Sequence, residues 1–230
     1  MKRILFILAV LFLYGSSAFA QGWEGTLQMS MKVPQMGDDP IPMMMNIKGD
    51  KIHATMEMGP MGSMEMFIDN GTKKMVTVMR AMKMGTEIDM AHAEQMANQS
   101  SEDTPAPVAT GKKDNKNGYD CELYTCKVKG LDMEMWMTNA LPPSIVTSLA
   151  KSMSSINSTG AASGAKNSFE ELAKKGLFAV RTVIKEGDAI QMQNDLLKFE
   201  SKSIPDSEFA IPSDINIQKM DPSMMGGAGQ

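Results

Sequence analysis

Apolar and polar residues alternate along most of the chain after position 22, and a period of two residues predicts β-strands. In the first such stretch, Trp23–Val33, every second residue from 27 to 33 is apolar. The next, Met43–Met58, is divided by a Gly49-Asp50 turn and predicts a hairpin. One face of this hairpin is apolar and the other carries polar side chains, which is typical of an antiparallel sheet with one buried side.

Two later segments have different patterns. The Asn70-Gly71 pair is a typical type I′ turn, and a two-residue turn here places Met66 opposite Met75. The segment Asn98–Asn117 is polar and rich in Pro, Ser, Asp and Lys, so it predicts a long loop, with a short strand at most at Val108–Thr110.

The segment Gly118–Thr138 predicts a hairpin with two different sides. A Lys129-Gly130 turn brings Val128 opposite Leu131 and Lys127 opposite Asp132. In that register one face of the hairpin is soft and apolar and carries Tyr124, Cys126, Met133, Met135 and Met137. The opposite face carries Cys121, Leu123 and Trp136.

The period changes to that of a helix after Pro142 and Pro143, where an apolar stripe contains Ile145, Val146, Leu149, Ala150, Met153 and Ile156. A capping box at Ser168–Glu171 begins a short helix that Gly176 ends. Strands then return, and the segment Ile204–Ile217 closes the domain, with Phe209 and Ile211 as expected anchors.

These elements predict a mainly β (α+β) fold. We expect about nine antiparallel strands in a curved sheet that forms an open half-barrel, with one or two helices against its concave face. The expected organisation is a signal peptide over residues 1–20, a single domain over 21–218 with a helical insertion around 142–176, and a flexible tail over 219–230.

The first twenty residues have the features of an export signal: basic Lys2 and Arg3, an apolar run, and small residues before a cleavage point after Ala20. We therefore expect a periplasmic or extracellular protein without a stable membrane anchor. The net charge is −4, with acids and bases interspersed. Because no basic stripe is present, nucleic acid is not an expected partner.

Cys121 and Cys126 lie five residues apart in one predicted strand. About 16 Å of extended chain separates them, whereas the Cα atoms of a disulfide lie within about 7 Å. The spacing predicts two unpaired thiols; a disulfide across a local bulge is the alternative.

Methionine is unusually abundant, with 26 residues in 230. Three interpretations remain open: core filling, the lining of an apolar ligand site, and thioether ligands for a soft metal such as Cu(I). The candidate ligand-lining residues are Met43, Met45, Met56, Met58, Met64, Met66, Met133, Met135, Met137 and Tyr124. Most of these methionines are strand neighbours, which favours core filling or a pocket wall over a dedicated metal site, so no metal ligand and no cofactor is predicted.

Catalytic chemistry has little support. The motifs for a nucleophile elbow, a phosphate loop or paired catalytic carboxylates are absent from the sequence. His53 alternates with polar residues, so we expect a solvated surface histidine rather than a catalytic base. The sequence predicts a protein that is not an enzyme.

Short motifs resemble exported bacterial proteins of the domain-of-unknown-function 4412 family, common in Bacteroidetes. They are G-Y-x-C-x-x-Y at Gly118–Tyr124, a Trp-centred strand at Met133–Thr138, G-L-F-x-V-R at Gly176–Arg181, and the ending at Ile204–Pro212. The resemblance implies a shape like that of the LolA/LolB lipoprotein carriers, an unclosed β-barrel with helices in an apolar concavity. It also implies lipid or acyl-chain binding, and it supplies no catalytic residues.

The preferred function is therefore non-catalytic binding of a lipid or another apolar ligand in the cell envelope. The alternatives are a Met-rich soft-metal binder and a structural envelope-assembly partner with no small ligand. The sequence identifies no protein partner.

Overall fold

Twelve strands form one sheet in the computed structural model, which describes residues 23–37, 39–92, 105–128, 130–143, 145–147, 149–150 and 171–220. The strands are β1 (Glu24–Lys32), β2 (Ile41–Lys48), β3 (Lys51–Glu57), β4 (Ser63–Asp69), β5 (Lys74–Met79), β6 (Met84–Asp89), β7 (Val108–Lys116), β8 (Tyr119–Val128), β9 (Leu131–Thr138), β10 (Phe178–Glu186), β11 (Ala189–Ser201) and β12 (Asn216–Lys219). Residues 90–92, the described residues from 143 to 150, and residues 171–174 are helical.

The strand order is β12-β6-β5-β4-β3-β2-β1-β11-β10-β9-β8-β7, so the sheet has two edges and is open. All neighbours pair antiparallel except β12, which runs parallel to β6. The predicted fold class, a mainly β protein with an open curved sheet, is confirmed. The signal segment 1–20, the helical stripe's Met153 and Ile156, and the last ten residues of the expected tail lie outside the described residues.

The structure has twelve strands rather than about nine, and two of the strands that the sequence pattern missed are polar. The long loop predicted at Asn98–Asn117 is replaced from Val108 onwards by β7, nine residues that pair with β8. β12 has the sequence NIQK and no apolar alternation. Both strands lie at the sheet edges, where solvent-exposed polar residues are compatible with backbone pairing.

The pairing predicted between Met66 and Met75 is also wrong, since Met66 pairs with Thr77 and Ile68 pairs with Met75. The β4–β5 turn contains four residues, not two. The Asp69 carboxylate accepts hydrogen bonds from the backbone N–H groups of Gly71 and Thr72, at 2.9 and 3.0 Å. This side-chain capping stabilises the longer turn and shifts the register by two residues.

Helices cover one face of β1–β5. The buried residues Leu141, Ile145, Val146 and Leu149 belong to one apolar cluster with strand residues that alternate onto a single face: Leu27, Met29, Met45, Ile47, Ile52, Ala54, Ile68 and Met75. Pro142 begins the helix as expected, because its carbonyl accepts hydrogen bonds from the N–H groups of Ile145 and Val146. We call this side of β1–β6 the methionine face.

The segment 202–215 crosses the opposite, outer face of β2–β6 and leads into β12. Lys48 holds its beginning, with Nζ 2.9 Å from Asp206 Oδ1 and 3.0 Å from the Ile204 carbonyl oxygen. Phe209 and Ile211 were the expected anchors, but Ile211 is exposed, and the buried residues are Ile204 and Ile215. Phe209 and Ile211 instead line a cleft between the two buried residues of the segment.

The β7–β8 hairpin folds back over its neighbours. Nδ2 of Asn117, in the β7–β8 turn, donates a 2.8 Å hydrogen bond to the carbonyl oxygen of Leu196 in β11. β11 lies three strands from β8 in the sheet order. A single side chain spans this separation only because the sheet curls strongly at this end.

Candidate functional site

A row of six methionines crosses the first six strands on the methionine face. Each member pairs directly with the next: Met29 with Met43, Met43 with Met56, Met56 with Met64, Met64 with Met79, and Met79 with Met84. Paired residues share a face, with Cβ atoms about 4.5–5.5 Å apart. The six side chains therefore form one continuous strip, which we call the methionine ladder.

The ladder is most accessible at its β6 end. Met29 and Met56 are 6% and 8% exposed, whereas Met84, on β6, is 43% exposed. Met43, Met64 and Met79 have intermediate exposure. Five strand spacings of about 4.8 Å give the ladder a length of about 24 Å.

The neighbouring rows of residues on the methionine face are covered and largely buried. Met45 pairs with Ala54, and Ala54 pairs with Met66; one row further along, Ile47, Ile52, Ile68 and Met75 follow in the same way. These rows lie in the apolar cluster that contains the helix, with Met66 packed at its margin. Met64 and Met79 do not belong to that cluster of described residues, so the ladder marks the boundary between covered core and accessible apolar surface.

Three short turns lie at the same end of the sheet as the ladder. They connect β1 to β2, β3 to β4 and β5 to β6, and each is a 3-10 segment that ends in methionine: Pro34–Met36, Gly59–Met61 and Arg80–Met82. Met36 and Met82 are 53% and 56% exposed. The first and third of these turns therefore carry exposed thioethers.

The structure divides the ten residues predicted to line a ligand site into two groups. Met43, Met45, Met56, Met64 and Met66 share the methionine face, and the half-buried Met58 follows directly after β3. The other four belong to a separate cluster around β8 and β9: Tyr124, Met133, Met135 and Met137. The ten residues therefore do not form one surface.

The β8–β9 group has the predicted register, but its methionines are buried. Val128 pairs with Leu131, Tyr124 with Met135, and Cys126 with Met133, as expected. Met133, Met135 and Met137 are at most 3% exposed and pack with Leu172. These three methionines have the burial of core residues, so the accessible part of the candidate site is the ladder, whose members Met29, Met79 and Met84 were not among the predicted ten.

A polar network lies on the outer face, beneath the segment 202–215. Arg80 donates hydrogen bonds from Nε to Glu65 Oε1 and from Nη2 to Glu65 Oε2, the latter at 3.0 Å. His53 Nε2 lies 3.1 Å from Glu65 Oε2, and its ring stacks on Phe67 at 4.4 Å. The expectation of a solvated His53 is wrong, because the side chain is only 12% exposed. Glu208, on the crossing segment, approaches His53 Nδ1 to 3.9 Å.

The network holds a buried charge. Burial alone would raise the pKa of Glu65, but the hydrogen bonds from Arg80 and His53 outweigh it and bring the pKa below its ordinary value. Glu65 is thus a carboxylate with satisfied partners on both oxygens. We interpret the network as a structural support for the crossing segment, because Arg80, His53 and Glu208 come from three different elements.

An adjacent cleft of about 330 Å³ has an apolar wall that includes Phe67, Val76, Phe209 and Ile211. Charged residues of both signs line it: Lys51, Asp69, Lys74 and Glu87. Lys74 and Glu87 pair with each other at 3.6 Å, so their charges are partly neutralised within the protein.

The two cysteines are unpaired, as predicted. Burial raises the pKa of both the Cys121 and the Cys126 thiol, so the reactive thiolate is disfavoured. Over the described ranges, no group of three His, Cys, Asp or Glu side chains converges as in a metal site. None of the helices described is long and apolar enough to cross a membrane.

A family model for a domain of unknown function, DUF4412, matches residues 23–215. The chain belongs to the DUF4412 family. This confirms the family resemblance of its sequence motifs, and the match includes all the strands from β1 to β11. No curated protein matches this DUF4412 chain.

Solved structures share parts of the DUF4412 chain trace. Two crystal forms of PNGF-II align with TM-scores of 0.44, at 13% and 12% identity, over 89% and 86% of this chain. The chain spans about a third (32%) of the PNGF-II chain. A LolA superfamily protein, NE2245 from Nitrosomonas europaea, aligns with a TM-score of 0.35 at 7% identity, over 84% of this chain and 92% of its own. Likeness at these values does not transfer function.

Proposed function

We propose that this DUF4412 protein is an exported, non-catalytic protein of the cell envelope that binds a lipid or another apolar ligand along the methionine ladder. The observation that carries the proposal is the continuous pairing of six methionines from β1 to β6. The exposed end of this strip leaves apolar surface accessible beside a closed core.

The accessible end of the ladder suits part of an acyl chain. Met29 and Met56 are buried, so a ligand contacts the ladder mainly from Met64 to Met84, over two strand spacings or about 10 Å. One leaflet of a bilayer contains about 15 Å of hydrocarbon, so most of one acyl chain fits there. Each methylene removed from water contributes about 0.8 kcal/mol, and six methylenes supply about 5 kcal/mol before the entropic costs of association.

Methionine is a suitable lining residue for such a ligand. Its unbranched side chain and polarizable sulfur adapt to apolar groups of different shape. Leucine or isoleucine would fill the core equally well at Met29 and Met56, which are buried. At Met64, Met79 and Met84, which retain contact with solvent, adaptability is useful only if a partner comes into contact.

Export is the second part of the proposal, and it is based on residues 1–20. N-terminal sequencing of protein from the envelope fraction tests it. We expect the mature chain to begin at Gln21. An intact N-terminus, or recovery in the cytoplasmic fraction alone, would contradict export.

Binding is tested by titrating the mature protein with a fluorescent long-chain fatty acid. Met64→Glu places a charge in the ladder, and we expect at least a tenfold loss of affinity. Met44→Glu is the matched control, because Met44 lies on the same sheet but on the outer face, 47% exposed. We expect it to change affinity by less than twofold.

Met84→Glu is a second ladder variant, which separates a loss of binding from a loss of folding. Met84 is as exposed as Met44, so a charge there is tolerated by the fold. We expect an intermediate loss of about threefold. If both ladder variants and the Met44 control bind the fatty acid as well as wild type, or if wild type does not bind it, the ladder is not a site for acyl chains.

A further inference from the structure

We propose that the exposed end of the ladder, formed by Met64, Met79 and Met84, is a binding site for a soft monovalent metal ion, Cu(I) or Ag(I). The three residues lie on consecutive strands, β4, β5 and β6, and pair directly in the sheet. All three retain solvent exposure.

The backbone register brings the three thioethers within reach of one ion. Directly paired residues have Cβ atoms about 4.5–5.5 Å apart. The methionine sulfur is one further methylene beyond Cβ, on an unbranched side chain that can adopt several rotamers. Three sulfur atoms can therefore converge above the central residue, Met79, without movement of the backbone.

A fourth thioether lies in the connection between two of these strands. Met82 is part of the 3-10 turn Arg80–Met82 that joins β5 to β6, and it is 56% exposed. Met79 directly precedes this turn and Met84 follows it after Lys83, so Met82 is close to both in the chain. An exposed methionine here contributes little to the apolar core, and it can complete the coordination of an ion at the open end of the ladder.

The chemistry selects for soft ions. Thioethers are soft, uncharged ligands that bind Cu(I) and compete poorly for Mg²⁺, Ca²⁺ or Mn²⁺. Thioethers also carry no proton at ordinary pH, so binding releases none. A site made from methionine alone is therefore expected to keep its affinity between about pH 5 and pH 8, unlike a site that depends on histidine or cysteine.

The experiment is an anaerobic titration of the mature protein with Cu(I) against a chromophoric competitor, with Ag(I) binding followed by native mass spectrometry. The test variant replaces Met64, Met79 and Met84 with leucine, which preserves apolar volume. The control variant replaces three exposed methionines elsewhere, Met36, Met44 and Met220, with leucine.

We expect wild type to bind one ion, the ladder variant to lose at least tenfold in affinity, and the control variant to stay within twofold of wild type. Fatty-acid binding should survive in the ladder variant, because leucine is also apolar. The metal site is therefore tested separately from the proposed lipid binding. Wild-type affinity should change less than threefold from pH 5 to pH 8.

Three results would overturn the metal site. The first is a failure of wild type to retain Cu(I) or Ag(I) in competition. The second is a loss of affinity in the control variant as large as that in the ladder variant. The third is a loss of binding when Cys121 and Cys126 are replaced with alanine, while the ladder variant binds normally. The last result would assign the ion to thiolates, and a steep rise of affinity with pH would accompany it.

Discussion

Glu65→Gln is the substitution that most directly tests the network on the outer face. The change keeps the size of the side chain but removes the negative charge that accepts hydrogen bonds from Arg80 and His53. Glu65 is 5% exposed, so water cannot replace the lost partners at that residue. Arg80 is 42% exposed at its side chain and can be hydrated.

The expected cost follows from these exposures. Removing one partner from a fully buried ion pair costs about 3–5 kcal/mol, and hydration of the partly exposed Arg80 reduces that cost. We therefore expect Glu65→Gln to lower the free energy of unfolding by about 2 kcal/mol at pH 7. With a urea dependence of about 2 kcal/mol per molar, the midpoint falls by about 1 M.

The pH dependence gives the same substitution a second readout. The pKa of Glu65 is lowered in the folded state from its ordinary value of 4.5. Its stabilising contribution is therefore complete above that value and is lost as the pH falls through the folded pKa. The difference between wild type and Glu65→Gln should be full at pH 7 and should shrink progressively below about pH 4.5.

The matched control is Glu87→Gln, because Glu87 makes a longer, more exposed pair with Lys74. We expect its effect to stay below about 0.5 kcal/mol. Urea denaturation followed by circular dichroism at pH 7 and at pH 3.5 measures all three proteins. Equal stability of Glu65→Gln and wild type at pH 7, or a difference that persists undiminished at pH 3.5, would refute the reasoning.

Three further predictions concern packing, the hairpin contact and the thiols. Gly25→Ala should lower the free energy of unfolding by about 2–3 kcal/mol in thermal denaturation, because the new Cβ would lie 2.3 Å from a backbone oxygen of β11. Gly85→Ala should cost only about 1 kcal/mol, because its nearest neighbour, at 2.7 Å, is a movable side chain. Equal effects of the two substitutions would contradict this. Asn117→Ala should cost about 1–2 kcal/mol and speed proteolysis of the β7–β8 hairpin, since the hydrogen bonds from Nδ2 to Leu196 and Asp195 of β11 are lost and alanine tolerates the left-handed backbone at this position less well than asparagine does. An unchanged cleavage rate would argue against the contact. Cys121 and Cys126 should react slowly with a thiol reagent at pH 7.5 in the folded protein, because burial raises their pKa. In urea, two thiols per chain should react with the reagent immediately. Fewer than two reactive thiols would indicate a disulfide.

The parts of the fold that could be predicted depend on local chemistry. Lys48 pairs with Lys51 and Val128 pairs with Leu131 as expected, because a two-residue connection fixes the register of both strands. The β4–β5 register was missed because the Asp69 side chain caps a longer turn, and Asn70-Gly71 alone does not reveal that length.

Other features depend on contacts between distant segments. The polar β7 exists because β8 supplies its backbone partners, so no apolar alternation predicts it. His53 is buried by its contacts with Phe67 and with Glu208, which lies 155 positions later in the chain. A pattern of alternating residues cannot show which segment will cross the outer face.

The candidate site was predicted in part. Alternation correctly assigned Met43 and Met56 to one face of a hairpin. The pairing of Met56 with Met64 could not be predicted, because it depends on the register between two hairpins. Met133, Met135 and Met137 have the same alternation and nevertheless belong to a separate, closed cluster. Sequence spacing identifies apolar faces, whereas burial depends on what packs against them.

The most direct test of the central claim is native mass spectrometry of the mature protein purified from its own envelope, followed by organic extraction of the bound material. The ladder account predicts an additional mass that extracts as lipid and that is lost from protein carrying Met64→Glu but retained by protein carrying Met44→Glu. A protein of unmodified mass with no extractable lipid, or a lipid retained equally by both variants, would contradict binding along the ladder.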